Sequence, residues 1–341
     1  MSDLQLFWFI LIGVLFAGFF FLEGFDFGVG MAVQTITNNE QEKDQIVETI
    51  GPVWDGNEVW LITAGGAMFA SFPMWYATLF SGYYLLLLLV LVGLIIRGVS
   101  FEFREKMPAD KKNIWNWTLT IGSFMVPFFF GVIFISMIQG MPLDADGNIF
   151  ASFTDYINIF SIVGGIALVL LSFLHGMNYI SLKTTGPIRY RAKNYAMFAY
   201  WILYVGLIVF AILLYFQTNF FETHPVSTIS LLVVMIELTV VAHYGVATNK
   251  EMLAFLASGF TMIALVALIF SGIFPYVMIS SGDPANSMLI AEASSSPYTL
   301  SLMTKLSLGI LPFVLAYFGY SYYVFRNRIK HTDVEGATEG Y

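Results

Sequence analysis

Four acidic side chains lie in apolar sequence near the start of this chain. Glu23 and Asp26 belong to the run LEGFDFGVGM, and Asp55 and Glu58 belong to GPVWDGNEVW. Within each pair the carboxylates are three residues apart, a spacing that places both on one face of a helix. A carboxylate among apolar side chains must be paired, hydrogen-bonded, protonated or reached by water. The pattern therefore indicates a pathway for protons or ions.

A basic residue accompanies these acids at the same predicted depth. Arg97 closes a later apolar run, and Glu102 and Arg104 follow it within a few residues. Arg97 is therefore placed to pair with one of the carboxylates. A second interpretation stays open, in which the acids lie at the level of the lipid headgroups and stabilise helix starts, as Asp55 would near a helix N-terminus.

The composition identifies the elements that must position these groups. Of the 341 residues, 58% are hydrophobic and only 11% are charged, whereas a soluble domain has about 25% charged residues. The chain is therefore expected to be an integral membrane protein. It contains no cysteine, which excludes disulfides, thiolate metal ligands and a cysteine nucleophile, and it has only four histidines for any metal or haem site.

Apolar runs of about 20 residues, the length that crosses a bilayer as a helix, divide the chain into nine spans. We expect them at about 5–33, 51–72, 75–97, 114–137, 157–181, 195–217, 227–247, 251–273 and 301–325. The predicted fold class is an all-α integral membrane protein of nine transmembrane helices, with two four-helix bundles plus one peripheral helix. The whole chain forms a single transmembrane domain, and residues 331–341 form a short cytoplasmic tail.

The basic residues are distributed very unevenly between the two sides of these spans. All lysines and arginines except Lys305 lie in or beside the connections 34–50, 98–113, 182–194 and 248–250 and the C-terminal tail. Basic residues concentrate on the cytoplasmic side of membrane proteins. We therefore expect a multi-pass protein of the cytoplasmic membrane, with its N-terminus outside and its C-terminus in the cytoplasm.

Further residues are candidates for contacts rather than for chemistry. Trp54 and Trp60 are interpreted as interface anchors. His175 in FLHGMNY is interpreted as either a hydrogen-bonded histidine at a helix end or a haem ligand. It is also a candidate for an interface. Glu237 lies near the middle of the seventh span and should face the bundle or a partner, because facing lipid is costly. No metal-binding or nucleotide-binding motif is found.

Several stretches resemble subunit II of the cytochrome bd-type quinol oxidases. They occur in the family's order over essentially the whole chain: LEGFDFGVGM (22–31), GPVWDGNEVWLITAGGAMFASFPMWYA (51–77), SGYY (81–84), IIRGVSFEFREK (95–106), IGSFMVPFFFGV (121–132), LHGMNY (174–179), IFPYVMIS (273–280) and SSPYTL (295–300). The resemblance implies a subunit of a bacterial terminal oxidase that oxidises quinol and reduces O₂ to water. It implies no contact with nucleic acid.

The resemblance also implies a division of labour within the complex. Subunit I of the family holds haem b and haem d with their ligands and oxidises the quinol. This chain would then lack catalytic residues, bind no metal, pack against subunit I and contribute to a proton path from the cytoplasm. A small accessory single-span subunit and the quinone pool are further expected partners.

Residues of the family's proton path can be matched one by one. Asp55 of WDGN is the expected central carboxylate, and Asp26 in GFDFG matches a family aspartate. Three further residues are included by their positions: Glu102, where some relatives have aspartate; Glu23, close to an acidic position; and Glu58, where some relatives have glutamine. Arg97 would pair with one of these acids or contact a haem propionate of subunit I.

Two other functions are alternatives to a proton-conducting oxidase subunit. An ion-coupled secondary transporter also places carboxylates within helices, although such proteins have broken helices near the middle of the membrane. A purely structural subunit explains every motif except the carboxylate cluster. Replacing Asp55 by asparagine separates this last interpretation from a proton path.

Overall fold

The computed structural model of the chain describes residues 1–108 and 111–330, and most of them are helical. The predicted tail 331–341, with His331, lies outside the described residues. In chain order the helices are α1 (Asp3–Thr35), α2 (Glu40–Glu48), α3 (Trp54–Ser71), α4 (Pro73–Gly82), α5 (Tyr84–Lys106), α6 (Lys112–Gln139), α7 (Phe153–Tyr156), α8 (Ile159–Lys183), α9 (Pro187–Gln217), α10 (Phe220–Thr223), α11 (Pro225–Ala247), α12 (Glu251–Ile273), α13 (Ile290–Ala293) and α14 (Pro297–Val324). Two short antiparallel strands, β1 (Tyr276–Met278) and β2 (Met288–Leu289), pair between α12 and α13.

Eight helices of the described chain are long and apolar enough to cross a membrane. They are α1, α5, α6, α8, α9, α11, α12 and α14. The protein is therefore an all-α membrane protein, as predicted. Helix α3 has 18 residues but is not among the eight, because Asp55, Asn57 and Glu58 in its first turns reduce its mean hydropathy. The ninth span stays a prediction.

The helix that carries Arg97 begins later than the sequence predicts. The segment expected as one span at 75–97 contains a helix break, since α4 ends at Gly82 and α5 starts at Tyr84. Pro73 starts α4, because a residue without an N–H group is tolerated in the first turn. Helix α5 then continues to Lys106, so Glu102 lies on its last turns and not in a following loop.

Helix α1 lies at the centre of the bundle and packs against α3, α6, α8 and α12. Its contact with α8 is close because Gly28 meets Gly176 there. A Cβ atom added at Gly28 would lie 2.2 Å from the carbonyl oxygen of Ser172, and one added at Gly176 would lie 2.4 Å from the Gly28 backbone. Small residues allow such backbone contact between membrane helices, and this contact fixes the rotation of α1 that determines where Glu23 and Asp26 point.

The basic connections meet at one end of the bundle. Polar contacts join them: for example, Lys183 donates to the carbonyl of Asn327, Gln45 donates to the carbonyl of Ile329, and Arg189 and Arg328 both pair with Glu251. The opposite end is closed by the hairpin and by the 140–152 loop, where Asn286 donates to the carbonyl of Leu143. The charge pattern of the sequence thus corresponds to two distinct ends of the structure.

Candidate functional site

A buried arginine forms the centre of the candidate site. Helix α5 supplies Arg97, and α1 supplies Glu23 and Asp26, and all three side chains have no exposed surface in this chain. Arg97 forms an ion pair with Glu23 through its Nη1 atom, and its Nη2 atom lies 4.0 Å from Oδ2 of Asp26. The i, i+3 spacing of the two carboxylates does place them on one face of α1, directed at α5.

Aromatic rings surround the guanidinium group. The Cζ atom of Arg97 lies 5.0 Å from the ring centre of Phe27, 5.5 Å from that of Phe101 and 5.8 Å from that of Trp54. Trp54 also stacks on Phe101, with ring centres 4.7 Å apart. Rings at this distance attract a cation.

Helix α3 supplies the next polar layer through Asn57 and Glu58. The Nδ2 atom of Asn57 donates to Oδ2 of Asp26 at 2.7 Å, and Asn57 is completely buried. The Oε2 atom of Glu58 lies 3.5 Å from Nη1 of Arg97, and 22% of the Glu58 side chain is exposed. Glu58 is therefore the member of this cluster that connects it to the surface of the chain.

A residue of α14 completes the hydrogen bonds of this layer. The hydroxyl of Tyr322 donates to Oδ1 of Asn57 at 2.7 Å. The amide of Asn57 then has only one orientation, in which its NH₂ group faces Asp26. Tyr322, Asn57 and Asp26 thus form a continuous chain of hydrogen bonds from the outermost helix to the buried carboxylate.

Tyr322→Phe is expected to lower the free energy of unfolding of the assembled protein by about 1 kcal/mol, the typical contribution of one hydrogen bond. Tyr320→Phe is the matched control, because Tyr320 lies on the same helix with 65% of its surface exposed. Thermal unfolding of both variants in one detergent measures the difference. Equal unfolding temperatures for the two variants would show that the Tyr322 hydrogen bond contributes nothing.

The charges of the cluster do not balance. Three carboxylates face one guanidinium, and several buried polar atoms lack a hydrogen-bond partner within residues 1–108 and 111–330, among them Oε2 of Glu23, Oδ1 of Asp26 and Nε of Arg97. Buried polar atoms are normally satisfied by protein groups or by ordered water. A group of acids that exceeds its counter-charge and can recruit water is chemically able to accept and release a proton.

The structure does not bring Asp55 and Glu102 into this buried group. Asp55 lies at the start of α3 with its side chain exposed on this chain. Glu102 is 67% exposed, and its partner is Lys106, at 3.3 Å. Of the acids predicted to act together, Glu23, Asp26 and Glu58 therefore converge on Arg97, while the other two lie at the surface.

Two residues of the cluster were not predicted. Asn57 lies within WDGNE, between two of the predicted acids, so its position in the motif was an available signal. Tyr322 is 265 residues away from Asn57 in the chain, and nothing in its local sequence indicates this contact.

Trp60 and His175 were also predicted to make contacts at an interface. Trp60 lies partly exposed between Gly18 and Phe318, with its ring centre 6.0 Å from that of Phe318. His175 is completely buried within this chain, and its role at an interface stays a prediction. Its Nδ1 atom lies 2.8 Å from Oγ of Ser258, and its Nε2 atom lies 2.9 Å from the carbonyl oxygen of Phe21.

Comparison with known proteins identifies the family of this chain. The family model of cytochrome bd terminal oxidase subunit II matches residues 4–325. The Bacillus subtilis protein "Cytochrome bd ubiquinol oxidase subunit 2" is 44% identical over 334 residues, which cover 98% of this chain and 99% of that protein. This chain belongs to the cytochrome bd terminal oxidase subunit II family.

Two further similarities extend over nearly the whole chain. The Escherichia coli protein "Cytochrome bd-I ubiquinol oxidase subunit 2" is 31% identical over 371 residues, which cover 98% of this chain and 97% of that protein. The solved structure of the bd oxidase from Geobacillus thermodenitrificans superposes with a TM-score of 0.75 at 13% identity, covering 96% of this chain and 100% of that one. At this identity the structural likeness concerns the fold.

As a member of the subunit II family, the chain is part of a bacterial respiratory oxidase, a quinol:oxygen oxidoreductase. Haem is implied by the family, and three of the four histidines lie within the described residues. Both ring nitrogens of His175 are engaged, Nε2 of His224 contacts the Phe274 carbonyl, and Nδ1 of His243 contacts Tyr204. Within the described residues, no group of three or more His, Asp or Glu side chains could hold a metal ion. With both ring nitrogens engaged, His175 does not fit haem ligation.

Proposed function

We propose that this subunit carries protons from the cytoplasmic side into the oxidase, where O₂ is reduced to water with electrons from quinol. The observation that carries the proposal is the buried group of Glu23, Asp26 and Arg97, which reaches the surface at Glu58. Water formation consumes protons, and carboxylates with free oxygen atoms in a largely apolar helix bundle are suited to supply them. The subunit has no catalytic residue of its own in this scheme.

The order of the carboxylates gives the path a direction. Asp55 is at the exposed start of α3, Glu58 lies one turn further on, and Asp26 lies behind it. The start of α3 is at the same end of the bundle as the basic connections, which the positive-inside rule assigns to the cytoplasm. The proposed path therefore begins at Asp55 and ends at the buried acids. Exposed Glu102 belongs to the entrance rather than to the buried part.

The surface proposed for haem-bearing subunit I lies beside this path. Helices α3, α4, α5 and α6 line an open apolar groove of about 640 Å³. Gly65 and Gly66 line it, and a Cβ atom added at either would meet nothing within 4 Å in this chain. Apolar side chains that line it are strongly exposed, for example Ile62 at 70% and Phe69 at 60%. A contiguous exposed surface of this kind in a subunit of a complex is suited to a protein partner.

The proposal also includes how the spans are grouped, how the chain is oriented and where the haems are held. Helix α3 is the ninth span, and the spans form one group of four from α1, α3, α5 and α6, a second from α8, α9, α11 and α12, and the peripheral α14. The N-terminus is outside, and the C-terminus is cytoplasmic. Haem b and haem d are held by subunit I, and the quinone pool supplies the electrons. Arg97 is paired with Glu23 inside this chain, which argues against a direct contact with a haem propionate.

Asp55→Asn in the assembled complex tests the path. We expect oxidase turnover to fall about tenfold or more, because a positioned proton-transfer group typically contributes at least a hundredfold and water partly replaces an exposed one. The visible spectrum of the reduced complex should be unchanged, which shows that subunit I and its haems are intact. Asp146→Asn is the control, since Asp146 is an exposed aspartate of the 140–152 loop at the opposite end of the bundle.

If Asp55→Asn has full haem content and unchanged turnover, the proton path is contradicted and the subunit has a structural role only. The ion-coupled transporter considered from the sequence loses its basis, because the oxidase family model spans residues 4–325. A reduced-minus-oxidised spectrum of the complex purified through this chain is the direct check. Haem absorbance from a co-purifying larger subunit is expected.

A further inference from the structure

A buried apolar cavity lies inside the helix bundle. It has a volume of about 40 Å³, and the helices α1, α6, α8, α9, α11 and α12 line it. Within residues 1–108 and 111–330, every side chain on its wall is apolar. Most of these side chains have little exposed surface, for example Phe20 at 2% and Leu203 at 3%. The proposed proton path does not use this space, because none of its acids lines the cavity.

The size and the polarity of the cavity restrict what can occupy it. A single water molecule needs about 10–15 Å³ and two to four polar partners, and apolar cavities without such partners stay dry and bind small apolar molecules. A phospholipid acyl chain or an isoprenoid tail is too long for a space of this volume. The family is a quinol:oxygen oxidoreductase, and O₂ is a small apolar molecule. O₂ therefore fits both the wall of the cavity and the reaction of the complex.

On one side the cavity adjoins a groove that is open to the membrane. This groove, of about 460 Å³, runs between α1 and α12, and we call it the lipid groove. Its residues Ile10 and Val14 are 54% and 52% exposed. Val266 and Phe270 line both the lipid groove and the cavity. A single layer of side chains therefore separates the cavity from membrane hydrocarbon.

On the other side the cavity adjoins the groove proposed for subunit I. Phe134 lines both the cavity and that groove. The ring of Phe16 lies between the two boundaries, with its centre 5.4 Å from that of Phe134 and 6.3 Å from that of Phe270. The lipid groove, the cavity and the groove of α3, α4, α5 and α6 thus follow one another across the subunit, separated by apolar side chains.

We propose that the cavity binds O₂ and passes it from the membrane through this subunit to subunit I. O₂ enters from hydrocarbon, which holds an apolar molecule better than water does. It passes Val266 and Phe270 when these side chains change rotamer, as side chains in packed interiors do, and it leaves past Phe134. No bond forms or breaks on the way. The inference rests on the proposed docking of subunit I in the groove of α3, α4, α5 and α6.

Xenon tests the binding step in the unaltered complex. Xenon is apolar and small, and its many electrons make it visible at a single site. The assembled oxidase is pressurised with xenon and its structure is determined, with an unpressurised sample as the control. We expect a xenon peak in the cavity between Val266 and Phe134. An empty cavity under xenon, or the density of an elongated molecule there in the unpressurised sample, overturns the proposal.

A pair of substitutions at Val266 tests the passage. Val266→Phe fills the boundary between the lipid groove and the cavity, and Val266→Ala widens it. With excess quinol, we expect the KM for O₂ to rise about threefold in Val266→Phe and to stay at or below its original value in Val266→Ala, with kcat at saturating O₂ unchanged in both. The matched control is Val205→Phe on α9, because Val205 is 62% exposed and lines neither space.

The direction of the two KM changes decides the result. An unchanged KM in Val266→Phe at full haem content, or an equal rise in Val266→Phe and Val266→Ala, overturns the passage. If Val266→Phe does not assemble, Val266→Leu should give a smaller rise, and its absence counts in the same way. Failure of the proton path is read separately, from kcat in Asp55→Asn. Docking of subunit I is also read separately, from its adduct with a photoactivatable crosslinker on Ile62→Cys, since the chain has no cysteine of its own.

Discussion

Arg97→Leu is expected to prevent most of the complex from assembling. The change leaves Glu23 and Asp26 buried without their counter-charge, and removing one partner of a buried ion pair costs about 3–5 kcal/mol. That loss is a large fraction of the roughly 5–15 kcal/mol by which a folded protein is stable. The amount of oxidase extracted from membranes, followed by its haem absorbance, measures the effect. The surviving fraction should unfold at a markedly lower temperature.

Two variants show whether the loss comes from the buried charge. Lys106→Leu removes a cation from the same helix, but Lys106 is 72% exposed. Its one ion pair within residues 1–108 and 111–330 is with Glu102, and exposed ion pairs contribute about 0–1 kcal/mol. It should therefore assemble normally. Arg97→Lys keeps the charge but loses the planar fork and the stacking against Phe27, so an intermediate amount is expected. Normal assembly of Arg97→Leu would mean that the buried acids are neutral without Arg97.

The sequence was sufficient to place the acids but not to pair them. Apolar length and basic loops put Glu23, Asp26, Glu58 and Arg97 at one depth, and the structure does bring these four together. Depth depends on position along a helix, which a sequence records directly. Which acid faces which neighbour depends on how each helix is rotated, and in α1 that rotation is fixed by the contact of Gly28 with Gly176.

The prediction that Asp55 is the central carboxylate is limited in the same way, because helix rotation is not recorded in the sequence. Asp55 and Glu58 share one face of α3, but the helix is turned so that Asn57 points inward at Asp26 while Asp55 is exposed. The spacing rule gives the relative positions of two side chains on a helix and does not give the direction of their common face. That direction is set by packing of α3 against α1, a contact between segments that no local pattern describes.

The break between α4 and α5 was missed for a different reason. The stretch from Pro73 to Arg97 is apolar almost throughout, so hydropathy alone treats it as a continuous span. The structure ends α4 at Gly82, whose carbonyl accepts a hydrogen bond from the hydroxyl of Tyr156 at 2.7 Å. A side chain 74 residues away thus satisfies a carbonyl at a helix end, and a tertiary contact of this kind is not encoded in hydropathy.

Asp26→Asn is expected to lower turnover about a hundredfold while the haem spectrum of the complex stays normal. Asparagine has nearly the shape of aspartate, so Asn57 and Arg97 keep a neighbour of the right size, but an amide cannot release a proton. Loss of a positioned proton-transfer group typically costs a factor of 10²–10⁴. Oxygen consumption with excess quinol measures turnover.

Asp26→Glu distinguishes loss of the proton carrier from loss of packing. A glutamate keeps the carboxyl group and adds one methylene to a buried site, which strains the packing but preserves the chemistry. If Asp26 transfers protons, Asp26→Glu should retain much more activity than Asp26→Asn, even though its complex is the less stable of the two on heating. If Asp26 only holds Asn57 and Arg97 in place, the better-fitting asparagine should be the more active variant. The order of the two activities, compared with the order of the two unfolding temperatures, therefore separates a proton path from a structural ion pair.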